Sequence, residues 1–411
     1  LLSLCKFDIN ELKVKSLVFI ATLWALLIAG KNSYATEAKK ADICFYGDTI
    51  RFTFDACELV DYNAELTPEN IRKFYNGIVA ADYDSLVSDM LAYKAKHKPD
   101  DWVYYQLIRK VAQYLSPKQD NYIRYTLYKW FLLNKSGYNS TLNIAGDKLL
   151  LYVQSDENIY DIPFYTRSSK QYICLNYHDY GTVDRSRAFT EVAAMSPEAQ
   201  NPFSYRLTQL PSFSQADYKD KELDFNYNDR SYTFNIKVNT EVGNILKNYP
   251  VADYKLYFNA PLSSGTYNSL IPALKKNVKG MSTKEGVDYL MRFTRYAFLY
   301  EPDVDNFGKE KRLSPEQTLL YDRSDCEDRA ALFYCLVKEI YGLPMIVLEF
   351  PKHVTIAVRF DKPVGKPIIY NGNAYSICEP TPQAEDLRIG ELSKELKREK
   401  YSVAFAYEPQ K

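Results

Sequence analysis

The sequence predicts an α+β protein of more than one domain. Three observations carry this. Apolar residues recur at three-and-four spacing from Thr67 to about Leu133. Alternating β-forming residues run through DFNYNDRSYTFNIKV and DYKLYFNAPL, between Asp224 and Leu262. In the C-terminal third a long helical pattern gives way to strand-like runs. At 411 residues the chain has room for two to three domains and a large core. Its 52 Lys and Arg balance 52 Asp and Glu, which argues against a chain built to coat nucleic acid or an anionic membrane. A composition 46% hydrophobic and 25% charged is that of a globular protein and excludes disordered or collagen-like classes. The 37 tyrosines suit half-wet strands, and strand packing is their simplest reading.

Taken in order, Lys13 and Lys15 precede an apolar run from Ser16 to Gly30, and Ser33-Tyr34-Ala35 follows it. A charged start, a short apolar middle and a small-residue exit predict a secretory signal peptide over residues 1–35, cut near Ala35. The run is shorter than the ~20 residues of a spanning helix. The expected location is periplasmic or extracellular, with no integral membrane span after cleavage. Export permits disulfides, and CFYGDTIRFTFDAC reads as a strand pair turning at Gly47-Asp48, with a Cys44–Cys57 bridge as one option. No CxxC or paired Cys/His spacing suggests zinc.

Residues 36–169 form an N-terminal α/β region. Pro68 opens a helix after Thr67, Pro117 separates WVYYQLIRKVAQYL from YIRYTLYKWFLL, and Gly137 ends the second. TLNI, KLLLYV and IYDIPFY then read as strands. Residues 170–265 form a β-rich middle region, with Asn228-Asp229 as a turn between two strands. Residues 266–411 hold two capping boxes, Ser282–Glu285 and Ser314–Gln317, and the most informative motifs.

Cys326 follows the cap residues Ser324 and Asp325 and precedes an apolar helical pattern ending at Gly342, so it sits in the first turn of a helix. The positive end of the helix dipole favours a thiolate there. Asp325, Glu327 and Asp328 push the other way, so the thiolate also needs a cation. His353, the only histidine after Cys326, opens the strand HVTIAVRF. A cysteine at a helix start and a histidine on a neighbouring strand suit a thiolate–imidazolium pair. An acid must orient the imidazole; Glu379, ending the strand AYSIC, is the candidate, with Asp386, Asn371 and Asn373 in reserve. Cys335, nine residues on, falls on the opposite face of the helix and reads as core.

The order helix-Cys, strand-His, strand-acid resembles the transglutaminase-like superfamily, which shares a papain-like core. The matching pieces are Pro315-Glu316-Gln317-Thr318-Leu319, Ser324-Asp325-Cys326-Glu327-Asp328-Arg329-Ala330, Pro351-Lys352-His353 and Cys378-Glu379-Pro380-Thr381. In particular it looks like the secreted transglutaminase-like proteins of Bacteroidetes, and the resemblance spans roughly residues 266–411. The resemblance implies a C-terminal transglutaminase-like domain, its helix-borne cysteine packed on an antiparallel sheet, and a catalytic triad of Cys326, His353 and Glu379. Family members usually have Gly where Ser324 stands and Asp where Glu379 stands; Glu is one methylene longer and must reach differently. The oxyanion donors would be the Cys326 backbone N–H and one upstream group, for which Gln317 is a candidate that equally suits the capping box.

The expected activity is that of an exported cysteine peptidase or amidase, favoured over cross-linking acyl transfer, working on a peptide or protein without metal or cofactor. The alternative is a surface binding or scaffold protein that keeps the fold without turnover. His97 and His178 read as solvated or loop histidines, and ELSKELKREK as an exposed helix face rather than a nucleic-acid site. One echo stands out. Asn121 to Gly137 spans 16 residues, as Cys326 to Gly342 does, and each is followed by a strand-like run. Position for position, Asn121 would replace the cysteine and Lys148 the histidine, making the front half a degenerate copy; chance likeness between two helix–strand units is the other reading.

Overall fold

The computed structural model of the protein describes residues 39–54, 59–81, 83–181, 189–193, 195–196, 199–301 and 311–409. The leader and Cys57 lie outside the described residues. Strands β1 (Lys39–Phe45) and β2 (Asp48–Phe54) pair antiparallel, closing at Phe45 and Asp48, so the turn is Tyr46-Gly47, one residue earlier than expected. Four helices follow: α1 (Pro68–Ala80), α2 (Asp84–His97), α3 (Asp101–Leu115) and α4 (Tyr122–Lys135). Thr67 caps α1 by accepting from the Asn70 N–H, with Pro68 in its first turn. Asn121 caps α4 by accepting from the Arg124 N–H.

A five-stranded antiparallel sheet packs on α4. It is built from β3 (Ser140–Ala145), β4 (Lys148–Gln154), β5 (Phe164–Arg167), β6 (Lys170–Cys174) and β7 (Thr190–Val192), in the order β5-β6-β4-β3-β7. The expected boundary at residue 170 therefore falls inside this sheet, because β6 pairs with β4 across it. Most of IYDIPFY precedes β5; Ile159 makes only an isolated bridge to Ala252.

The middle region contains one long hairpin, β8 (Tyr218–Tyr227) and β9 (Arg230–Asn239). Asn228 and Asp229 both have positive φ (47° and 58°), which is the turn a right-twisted two-residue hairpin requires. Short helices α5 (Glu241–Ile245) and α6 (Tyr254–Phe258) follow. The segment DYKLYFNAPL is thus helical rather than a strand. Tyr254, Leu256, Tyr257 and Phe258 are all buried, which a helix lying in a crevice permits and a one-sided strand does not.

The C-terminal part begins with α7 (Ser264–Val278) and α8 (Thr283–Tyr296), the latter opened by the Ser282–Glu285 capping box. A two-residue parallel pair, β10 (Leu299–Tyr300) with β11 (Arg323–Ser324), brackets α9 (Pro315–Leu320). Then comes α10 (Cys326–Tyr341), closed by Gly342 at φ 60°, where only glycine is unstrained. A second five-stranded antiparallel sheet consists of β12 (Met345–Phe350), β13 (His353–Val358), β14 (Ile368–Tyr370), β15 (Asn373–Cys378) and β16 (Ser402–Tyr407), in the order β14-β15-β13-β12-β16. Val347, Val354, Ile356, Val358 and Cys378 share one core cluster with the buried side chains of α10, while Ile346, Leu348, Ala357 and Ile377 line the other face. Burial on both faces gives the near-continuous apolar runs of β12 and β13. The ELSKELKREK segment covers that second face as irregular chain with a single 3-10 turn, Leu396–Arg398, not as a helix. Leu392 and Leu396 anchor it to the sheet.

Among the described residues no helix is long and apolar enough to cross a membrane. The architecture is α+β, as the sequence predicts.

Candidate active site

The turn into α10 is built from carboxylates. Asp325 is the N-cap; its side chain accepts from the backbone N–H of Glu327 at 3.1 Å and of Asp328 at 3.3 Å, and Asp328 returns the bond to the Asp325 N–H at 3.4 Å. Orphan donors at a helix start are satisfied this way, and the negative charge suits the dipole. Asp328 also accepts from the Leu313 N–H at 2.8 Å, tying the cap to the start of α9. Behind it, the buried carboxylate of Glu316 accepts from Ser263 Oγ and Thr266 Oγ1, each at 2.6 Å, and from the Asn239 N–H at 3.1 Å. Burial pushes the Glu316 pKa up, against the hydrogen bonds that lower it. One acid thereby joins β9, α7 and α9 under the site.

Arg329, fully buried one turn along α10, donates to the carbonyls of Thr294 (3.2 Å), Arg295 (2.7 Å), Phe298 (3.1 Å) and Ser324 (3.5 Å). Three of these belong to the C-terminal turn of α8 or just beyond it, where a cation is favoured. Burial lowers its pKa to about 10, against the charges of Asp328, Asp325 and their neighbours. Arg329 locks the cysteine turn to α8.

Cys326 is 8% exposed. Its thiol donates to Glu327 Oε2 at 3.2 Å. Burial, then the charges of Glu327 and Asp325, push the thiol pKa well above its ordinary value; the Val354 backbone N–H, next to His353, works in the opposite direction. The helix start alone therefore does not yield a resting thiolate here.

His353 is the first residue of β13, paired with Phe350 across the hairpin. Its Nε2 lies 2.8 Å from Glu379 Oε2, and Glu379 is fully buried. The other carboxylate oxygen accepts from the Thr381 N–H at 2.9 Å, and Arg295 holds the Glu379 carbonyl at 2.5 Å. Burial pulls the His353 pKa down, but the hydrogen bond and charge of Glu379 outweigh it, with Glu327 and Glu399 adding, so the pKa is raised. The longer acid reaches the ring. The reserve orienters are placed elsewhere: Asp386 pairs with Arg292 and Arg295, and Asn371 and Asn373 sit at the turn opening β15, about 20 Å along the strand from Glu379.

Gln317 Oε1 accepts from the Ser314 N–H at 3.1 Å in the capping box, and its Nε2 is buried with no hydrogen-bond partner. Cys335 is core. A cavity of about 580 Å³ is lined by Tyr160, Asp253, Tyr254, Arg312 and Glu349 among others. The Arg312 guanidinium stacks on the Tyr254 ring at 3.9 Å. Burial raises the Tyr254 pKa, Arg312 opposes it, and the charges of Glu327, Glu349 and Cys326 add to it, so this wall lies within electrostatic reach of the thiol. Asp325, Cys326 and Glu327 could together hold a cation, their donor atoms lying within 4.8 Å of one another, although Asp325 is already engaged by two N–H groups.

Three residues that shape the site were given no role by sequence reasoning: Arg329, Arg295 and Glu316. The available signal was a charged residue embedded in an apolar helical pattern, which implies a buried partner. His178 also differs from expectation. Burial of its ring lowers its pKa to about 4, whereas a loop histidine would be solvated. No protein-family model matches the chain, and none of the curated proteins matches it.

Proposed function

We propose that this is an exported transglutaminase-like cysteine enzyme acting on amide bonds. The observation that carries the reading is the 2.8 Å bond between His353 Nε2 and a fully buried Glu379, on strands adjoining a helix that starts with Cys326. With Nε2 committed to the acid, Nδ1 is the ring nitrogen that takes the thiol proton. The sulfur then attacks the amide carbonyl, the carbonyl electron pair moves to oxygen, and the Cys326 N–H with the free Gln317 Nε2 are the candidate donors for that oxyanion. His353 returns the proton to the amine as the C–N bond breaks. Water or a second amine attacks the acyl-enzyme, and His353 takes its proton as the thiol leaves. The substrate is a peptide or protein, with hydrolysis favoured over cross-linking.

One observation favours the second reading, a scaffold that keeps the fold with little turnover: the thiol donates to Glu327, and burial together with the charges of Glu327 and Asp325 pushes its pKa up. Alkylation separates the two. An enzyme gives fast reaction of Cys326 with iodoacetamide below pH 7 that is lost in His353→Ala. A scaffold gives the rate of an ordinary thiol in both. Mass spectrometry of peptide mixtures, with and without an added primary amine, then tells hydrolysis from acyl transfer.

A further inference from the structure

The two five-stranded sheets share more than their strand order. Each follows a helix, α4 or α10, and each begins with a hairpin whose closing pair is Ala145 with Lys148 or Phe350 with His353. The next hairpins turn through two residues of positive φ, Ser168-Ser169 and Asn371-Gly372. Counting four residues from Lys148 gives Tyr152, opposite Cys174; counting four from His353 gives Ala357, opposite Ile377. Two residues further on stand Asn176 and Glu379. At the helix starts, Asn121 caps α4 as Asp325 caps α10, so Tyr122, not Asn121, holds the position of Cys326. The equal 16-residue spacing hides this, because α4 is capped by Ser136 before Gly137, while Gly342 itself caps α10. The front counterparts of Cys326, His353 and Glu379 are therefore Tyr122, Lys148 and Asn176.

That front site is rebuilt without a cysteine at the helix start. The Tyr122 hydroxyl donates to Asp179 Oδ2 at 2.7 Å and accepts from Asn176 Nδ2 at 3.0 Å; Asn176 is held by the backbone of Leu149 and Leu151. Around it gather Arg109, Lys118 and Lys129, with Asp179 as the carboxylate that faces them. Lys118 takes one Asp179 oxygen at 2.5 Å. The Lys129 side chain is 1% exposed and has no acceptor within hydrogen-bonding distance among the described residues; its ammonium lies against the rings of Tyr125 at 4.5 Å and Tyr122 at 5.7 Å. Both ring nitrogens of His178 are buried without a hydrogen-bond partner, and Nε2 lies 3.6 Å from Asp179 Oδ1. Burial lowers the Lys129 pKa to about 7. Buried polar groups left open beside an excess of positive charge suit an anion. The cluster meets solvent through Lys118 and His178, whose side chains are 39% and 25% exposed.

We propose that the front half is a second copy of the helix-and-sheet unit converted to binding, and that its site takes a compact oxyanion, a carboxylate or a phosphate, between Lys118, Lys129 and His178. The inference stands apart from any turnover at Cys326.

The test is thermal unfolding of the whole chain in chloride, acetate and inorganic phosphate at matched ionic strength. Binding to the folded state raises the melting temperature by about 2–4 °C at ligand a hundredfold above Kd. A rise in acetate and phosphate alike assigns carboxylate and phosphate both; a rise in one alone assigns that anion. Lys129→Met removes the rise while leaving the chain in chloride folded. Lys118→Ala, a change near the surface, weakens the apparent affinity several-fold and serves if Lys129→Met does not fold. Equal melting temperatures in all three salts overturn the proposal, as does a rise that persists undiminished in Lys118→Ala.

Discussion

Glu327 is the main local charge against ionisation of Cys326, and Glu327→Gln measures how strongly it acts. Its Oε2 lies 3.2 Å from the sulfur. Two unit charges at that separation repel by about 5 kcal/mol at an effective dielectric of 20 and by about 1 kcal/mol in bulk water. Glu327 is half-buried, so an intermediate value of about 2 kcal/mol applies, or roughly 1.5 pH units at ~1.4 kcal/mol per unit. The sign is fixed: a neighbouring carboxylate raises a thiol pKa, so removing its charge lowers it. The thiolate fraction at pH 7 should rise by at least about tenfold. The assay is the initial rate of iodoacetamide alkylation of Cys326 between pH 5 and 10, site-resolved by mass spectrometry because Cys44 is exposed. The rate profile of Glu327→Gln should shift to lower pH by about 1–2 units. A folded Glu327→Gln protein with an unmoved profile would refute the role given to Glu327 and leave burial, with the charge of Asp325, as the reason the thiol pKa is raised.

Three further outcomes are expected. Glu379→Gln keeps the acid's shape but removes the charge that raises the His353 pKa, so the imidazole titration followed by NMR moves down. Because the folded pKa lies above the unfolded one, the His353–Glu379 pair adds stability below about pH 6.5 that is lost as pH rises through the folded value. Urea unfolding at pH 5 and pH 8 should show this difference shrink in Glu379→Gln, and amide turnover, where present, should fall by about 10²–10⁴. Arg329→Met strips four carbonyls of their donor and should lower unfolding free energy by about 3–5 kcal/mol; an unchanged urea midpoint would mean Arg329 does not fasten α10 to α8. A Cβ at Gly286 would overlap the Tyr341 hydroxyl, itself buried without a partner, so Gly286→Ala should cost about 1–3 kcal/mol and Tyr341→Phe should restore part of it in the double variant.

Local chemistry made much of this structure legible. Capping boxes at Ser282 and Ser314, the cap at Asp325, the stop at Gly342 and the Asn228-Asp229 turn all act within a few residues, and the structure has each where the pattern puts it. The start of α10 at Cys326 and of β13 at His353 followed from the same signals. Where reasoning from sequence went astray, longer-range packing decided. DYKLYFNAPL alternates like a strand but folds as a helix in a crevice, and ELSKELKREK spaces its leucines like a helix but lies as an irregular cover on the sheet. The boundary at residue 170 missed that β6 belongs to a sheet begun thirty residues earlier, since pairing partners leave no local mark.

The chain's local patterns placed a cysteine at a helix start, one histidine at the opening of a later strand and an acid at the end of another. Tertiary structure decided what state they rest in. It buried Glu379 against the imidazole, set Glu327 against the sulfur, and threaded Arg329 through the carbonyls at the end of α8. In the second copy we propose, Tyr122, Lys148 and Asn176 stand where Cys326, His353 and Glu379 do. Hydrogen-bond patterns within one turn are written in neighbouring residues, whereas pKa shifts and sheet register depend on which distant groups share a low-dielectric interior, and that is fixed only once the chain has folded.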